Sequence, residues 1–320
     1  MKEKDLIIFD PRFGKRPARL IGRDDVLRDI RLSLEDPDES ENITIVTGIK
    51  GAGKTALLSE IKAGLEQERV HSVDTGAEFE IKKGQEGAVF FIDDADKDIQ
   101  GLYEFLAVFQ ERVKEKKERR LFISCLPHKA QELLKEKDFP VLRQARRVSL
   151  GFVRTDEVLV LFKEAFSEKG KKGGQKTESA FNRAAEATLG YPYLIQLIGY
   201  YLSKEEAELD DNAVDRSVFR AKIELYKNIH EPIVWSLSSK DRMFLWSMSK
   251  DEGPSEFGEI AKRMDVSAGY ASKYRERLIG AEVIYSSAYG ELMFTLPYMK
   301  EYIEKEYIER LGGEGGKRRL

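Results

Sequence analysis

Apolar and polar positions follow two different rhythms along the chain. Ile43-Thr44-Ile45-Val46-Thr47, Ala88-Val89-Phe90-Phe91-Ile92 and Leu121-Phe122-Ile123-Ser124-Cys125 are short, nearly unbroken apolar runs, the pattern of strands buried on both faces. Val148-Ser149-Leu150 predicts a fourth strand, and Val70 to Val73 a further short one. Between them apolar residues recur at helical spacing, as in Leu27, Ile30 and Leu34, in Leu58, Ile61 and Leu65, from Leu102 to Val113, and from Gln131 to Leu134. Strands alternating with helices predict a mostly parallel, three-layer α/β sheet. From Thr155 the rhythm is all-helical, with segments Thr155 to Glu168, Thr177 to Leu189, Tyr191 to Leu202 and Asn212 to Leu237. Residues 1–19, broken by Pro11, Gly14 and Pro17, predict an irregular arm.

The pattern changes again near Ser238. Ser238 and Asp241 form a capping box ahead of Met243, Phe244 and Leu245. A second helix carries Phe257, Ile260, Ala261 and Met264, and Asp265-Val266-Ser267 turns into a third with Ala271, Tyr274 and Leu278 inward. Val283 to Tyr285 and Leu292 to Leu296 then flank Ala288-Tyr289-Gly290-Glu291, a hairpin signal. Helices joined by a short turn and followed by a hairpin have the layout of a winged helix. The organisation read from these changes is an arm over 1–19, an α/β core over 20–153, a helical region over 154–237, a winged helix over 238–310 and a Gly-rich tail over 311–320.

Charge narrows the function. Lys plus Arg number 54 against 57 Asp plus Glu, a net charge of −3, which argues against a protein that coats polyanions. One cysteine, Cys125, and three scattered histidines exclude a disulfide framework and a Cys/His zinc module. With no apolar run of about 18 residues and no signal-peptide pattern at Met1-Lys2-Glu3-Lys4-Asp5, the expectation is a soluble, cytoplasmic protein without membrane contact. Glu168 to Lys176, with four Lys and three Gly, reads as a solvated loop.

Gly48-Ile49-Lys50-Gly51-Ala52-Gly53-Lys54-Thr55 fits G-x-x-x-x-G-K-[ST] at every position, between a strand ending at Thr47 and a helix opening at Lys54-Thr55-Ala56. Its glycines let backbone N–H groups turn inward around a polyphosphate, and the helix start adds a positive dipole end. Lys54 is placed to reach the β- and γ-phosphates and Thr55 to ligate Mg²⁺. Phe90-Phe91-Ile92-Asp93-Asp94 supplies the acidic strand end such chemistry needs: Asp93 as the metal partner, Asp94 to orient or deprotonate the attacking water. With Asp96 and Asp98 following, the same run also fits an ordinary helix-start charge pattern.

At these residues the chain resembles the AAA+ superclass, and within it the signal-transducing STAND ATPases. The resemblance covers residues 20–205 and is nearest to bacterial AAA-type ATPases whose phosphate loop and helical lid precede a winged helix. Beyond the loop it rests on Leu20-Ile21-Gly22-Arg23-Asp24-Asp25, Ile92-Asp93-Asp94, Leu150-Gly151 and Gly190-Tyr191-Pro192-Tyr193. It implies ATP or ADP bound with Mg²⁺, a base pocket at Ile21, Gly22 and Arg23, and a lid closing through Pro192. It places a γ-phosphate sensor at Ser124, which equally fits a satisfied hydroxyl at a strand end. An arginine finger falls among Arg143, Arg146 and Arg147, which equally fit a solvated face.

Two departures stand out. No arginine follows Pro192 in its helix where the second AAA+ sensor is expected, which suits a slow switch better than a motor. Thr75 to Gly87 are also short for a right-handed parallel crossover. In the winged helix, Lys273, Arg275 and Arg277 suit a helix that reads double-stranded DNA. Lys240 to Arg310, however, hold eleven basic and thirteen acidic residues, which suits an intramolecular lever. The expected function is a slowly hydrolysing, ATP-driven conformational switch acting on a protein partner or on itself. A nucleotide-controlled DNA-binding initiator and a non-hydrolysing scaffold are the alternatives.

Overall fold

The computed structural model describes residues 8–35, 42–73, 88–115, 119–167, 175–205 and 209–305. The short crossover at Thr75 to Gly87, the Gly-rich tail and most of the Lys-rich loop lie outside them. The chain divides into two compact units, 1–221 and 222–320.

In the first unit the apolar runs become strands β1 (Ile43–Thr47), β2 (Val70–Ser72), β3 (Val89–Ile92), β4 (Arg120–Cys125) and β5 (Arg146–Ser149). They form one parallel sheet in the order β2-β3-β4-β1-β5. Side chains alternate across it with the two-residue period of a strand. Ile43, Ile45, Phe90, Ile92, Leu121 and Ile123 face Leu102, Phe105 and Phe109 of α3 (Ile99–Glu115). Val46, Val89, Phe91 and Phe122 face α1 (Asp24–Glu35) and α2 (Lys54–Ala63). This is the expected three-layer α/β core.

The strand order positions the chemistry. β4 lies between β1 and β3, with Val46 beside Ser124 and Ile92 beside Ile123. The C-terminal ends of three neighbouring strands therefore carry Gly48, Ser124 and Asp93 side by side. β5 begins two residues before its expected start and is an edge strand, with Arg146 and Val148 half-buried on one face and Arg147 and Ser149 exposed on the other; Leu150 leaves it, donating its N–H to the Thr47 carbonyl at 2.7 Å.

After α4 (Pro127–Leu133) the chain builds α5 (Thr155–Ser167), α6 (Gln175–Ala187), α7 (Pro192–Ser203) and α8 (Asp211–Leu225). The described arm has no regular structure but is anchored. Phe9 is buried against Phe162 and Phe166 at ring separations of 5.6 and 5.9 Å, and Asp10 N–H donates to the Gln196 side chain at 2.9 Å. Gly199 makes room for it, since a Cβ there would collide with the Phe9 ring.

The second unit opens in the last turn of α8, which runs through a π-helical turn, Tyr226–His230, into α9 (Glu231–Ser236). The pattern predicts one uninterrupted helix here. Pro232 cannot donate a helical hydrogen bond, and the wider turn falls just ahead of it. Then come α10 (Ser239–Met248), whose capping box is present, α11 (Phe257–Arg263) and α12 (Ala268–Gly280). β6 (Ser255–Glu256), β7 (Ile284–Ala288) and β8 (Glu291–Phe294) form an antiparallel sheet in the order β6-β8-β7.

His230 is fully enclosed, with the Tyr226 and Tyr302 rings each 5.4 Å away. Burial outweighs the Pro297 backbone contact and pushes its imidazole down to about 3. The unfolded chain takes up this proton near pH 6.5 and the folded one does not, so the contribution is full above that pH and fades as pH falls toward 3. Urea unfolding should show His230→Phe with a stability slope shallower than wild type by about 1 kcal/mol per pH unit between pH 6.5 and 5. Equal slopes in the two proteins would contradict this environment for the ring.

Candidate functional site

Everything at the site starts from the turn between β1 and α2. Gly51 and Gly53 adopt φ of 80° and 93°, the left-handed backbone that wraps the loop, and Gly53 caps α2. Lys54 folds beneath the loop, only 7% exposed, and its ammonium donates to the carbonyls of Gly48 at 2.8 Å and Ile49 at 3.3 Å. Lys50, Gly51, Ala52, Gly53, Lys54, Thr55 and Ala56 all line one cavity of about 700 Å³. Gly48 and Ile49 stand behind it, holding Lys54.

The same cavity is lined by Asp93, Asp94 and Asp96. Ser124 is fully buried; its hydroxyl donates to Asp93 Oδ1 and accepts from the Asp94 N–H at 2.9 Å. The strand-end hydroxyl therefore fixes both aspartates relative to β4. Asp94 sits at φ 52°, left-handed without being glycine, a strained conformation of the kind that collects at functional sites. Its carboxylate pairs with Lys97 at 2.8 Å, and that carboxylate raises the Lys97 ammonium above its ordinary range. Lys50, also on the cavity, is lowered by burial, with Asp94 opposing.

Ile21 and Arg23 border the same space. Arg23 is largely buried; its guanidinium donates to the carbonyls of Gly22 at 3.0 Å and of Gly151, and burial lowers its pKa. Gly22, at φ 64°, sits close against Glu157 and Val153. Pro192 opens α7 and lines the cavity with Tyr193. Among the described residues α7 contains no arginine.

Three contacts were not legible in the motifs. Phe13 of the arm stacks on Tyr193 at 4.7 Å and closes one side of the cavity. Tyr191 is completely buried and donates its hydroxyl to the Lys50 carbonyl. Lys97 holds Asp94. The weak signal for the first two was an aromatic in an otherwise Gly/Pro-rich arm and a pair of tyrosines flanking Pro192.

Arg143 and Arg146 are not brought to this cavity. Arg143 is exposed, and Arg146 lies on β5, donating to the Asp29 carbonyl at 3.3 Å. In the second unit Lys273 is exposed, while Arg275 stacks on Phe257 at 4.7 Å. Arg277 donates to the buried Asp241 carboxylate at 2.5 and 3.0 Å, tying α12 to the cap of α10.

Comparison with solved structures gives the same architecture. A Walker-type ATPase of Pyrococcus abyssi matches at a TM-score of 0.71 with 14% identity, covering 93% of this chain and 99% of that one. The ORC2 protein of Aeropyrum pernix, solved in ADPNP–ADP complexes, matches at 0.66 with 12% identity, covering 97% and 99%. The fold is of the AAA+ P-loop type. A RuvB mutant of Thermotoga maritima matches at 0.51 with 19% identity, covering 93% and 98%. At these identities the likeness is one of fold. A family model described as a domain of unknown function, DUF8462, matches residues 227–303. A search of the curated proteins finds no match. Among the described residues no helix is long and apolar enough to cross a membrane.

Proposed function

We propose that the chain binds ATP with Mg²⁺ in the 700 Å³ cavity and hydrolyses it slowly, as a conformational switch of the STAND kind. One observation carries the reading: the wound loop with Lys54 tucked beneath it and the Ser124-linked pair Asp93 and Asp94 line a single cavity. The loop's N–H groups and Lys54 hold the polyphosphate. The Thr55 hydroxyl and the Asp93 carboxylate are hard oxygen donors on that cavity, the set a phosphate-bound Mg²⁺ takes. When bound, Mg²⁺ supplies charge neutralisation on the phosphates.

Asp94 acts on the attacking water only after leaving Lys97, and α7 brings no arginine to the cavity; both support low turnover. Ile21 and Arg23 flank the base, and Pro192 closes the lid formed by residues 154–237. Residues 238–310 form a winged helix that works as a lever toward a protein partner or a second copy. The internal engagement of Arg275 and Arg277 supports this over DNA reading.

Phosphate release from the whole protein, with and without duplex DNA, tests the proposal. The expected result is turnover well below about 1 s⁻¹, abolished in Asp93→Ala and indifferent to DNA. A protein that neither binds nor hydrolyses ATP refutes it. DNA-dependent activity lost in Arg275→Ala and Arg277→Ala would replace it with an initiator. Binding without release, unchanged in Asp94→Ala, would leave a scaffold.

A further inference from the structure

Tyr191 immediately precedes α7, yet its hydroxyl ends on the phosphate loop, about 140 residues back along the chain, where it donates to the Lys50 carbonyl. The approach leaves no room for a side chain on the loop. A Cβ on Gly51 would overlap the Tyr191 hydroxyl and ring and come within 3.2 Å of Tyr193 Cβ, so only glycine lets the two segments meet. Burial raises the phenol, which therefore stays protonated and stays a donor.

The geometry of one peptide unit gives this contact its consequence. The bond from Lys50 to Gly51 is trans, so its C=O and its N–H point in opposite directions. A donor that fixes the Lys50 carbonyl toward α7 turns the Gly51 N–H the other way. That N–H belongs to the loop that lines the cavity. Backbone donors aimed at an anion before it arrives bind it without the cost of reorganising.

Tyr191 is itself held by the segment that leaves β5. Leu150 N–H donates to Thr47 of β1, and Val153 N–H donates to the Gly190 carbonyl, both at 2.7 Å. The ring also packs on Phe152 with centroids 5.6 Å apart. The seat of α7 and the shape of the loop are thereby one arrangement.

We infer that Tyr191 is a positioning residue that presets the phosphate loop, so that polyphosphate affinity depends on α7 being seated and polyphosphate in turn favours the seated state. This rests on the nucleotide reading above and names the contact that couples its two halves; the coupling is reciprocal. Tyr191 touches no substrate in this arrangement. It acts through the Lys50–Gly51 peptide.

Tyr191→Phe removes the hydroxyl and keeps the ring, and is measured in the full chain by calorimetric titration with ADP, tripolyphosphate and adenosine. ADP and tripolyphosphate should both weaken about tenfold, while adenosine is unchanged. Tripolyphosphate should also protect the exposed Arg154 bond from trypsin in the wild type and do so less in the variant at equal saturation. No loss for tripolyphosphate, or an equal loss for adenosine, overturns the inference, the second marking a merely structural role. A wild type that binds none of the three ligands instead overturns the nucleotide reading.

Discussion

Lys54→Ala is expected to weaken ATP binding about a hundredfold and to abolish phosphate release. Two effects add. The ammonium of Lys54, a residue only 7% exposed, already satisfies the carbonyls of Gly48 and Ile49, so its loss frees the inner turn of the loop. It also removes the loop's buried cation, and charge-assisted hydrogen bonds are worth about 1.5–3 kcal/mol. A loss near 2.7 kcal/mol corresponds to about two decades in affinity. Lys54→Arg should recover little, because a planar guanidinium does not fit a space shaped for a compact ammonium beneath a closed turn. Calorimetric titration with Mg-ATP measures the binding and a coupled phosphate assay the turnover. Wild-type ATP affinity in Lys54→Ala would remove the phosphate cradle from the account.

The parts of this molecule that could be read in the sequence are those whose physics is local. β1, β3 and β4 bury both faces, so each is a nearly unbroken apolar run. β5 covers only one face, and its start at Arg146 disappears among charged residues. β6 is two residues long after Pro254, too short to show a period. The phosphate loop is legible because all its groups come from eight consecutive residues. Phe13, Tyr191 and Tyr193 are not, because each gains its role by meeting a segment far away in the chain. Arg277 shows the converse. Helical spacing marked it as an outward cation, whereas its partner, Asp241, lies 36 residues earlier in a cap. A side chain's charge is visible in the sequence, but whether it is already matched is not.

The turn before α7 provides the second large effect. Gly190→Ala should lower stability by about 2–5 kcal/mol, from a left-handed alanine at about 1–2 kcal/mol and a displaced backbone at about 1–3 kcal/mol. Gly190 has φ of 68°, directly after Leu189 at 50°, so two consecutive residues are left-handed. A Cβ at Gly190 would overlap the Val153 carbonyl, which is backbone and cannot rotate aside. Nor can the turn relax, because Thr188 grips it: the Gly190 N–H donates to the Thr188 hydroxyl at 3.1 Å and the Tyr191 N–H to its carbonyl at 3.0 Å. The melting temperature should fall by roughly 5–15 °C, and polyphosphate affinity should fall with it, because the shift carries Tyr191 off the Lys50 carbonyl. Gly151→Ala is the matched comparison. It lies on the β5–α5 connection that carries Val153, has no heavy atom within 4 Å of an added Cβ and no left-handed φ, so its stability should stay within about 0.5 kcal/mol of wild type. Calorimetric melts of the two variants decide the matter: equal melting temperatures would mean that the approach of Gly190 to Val153 does not fix this turn.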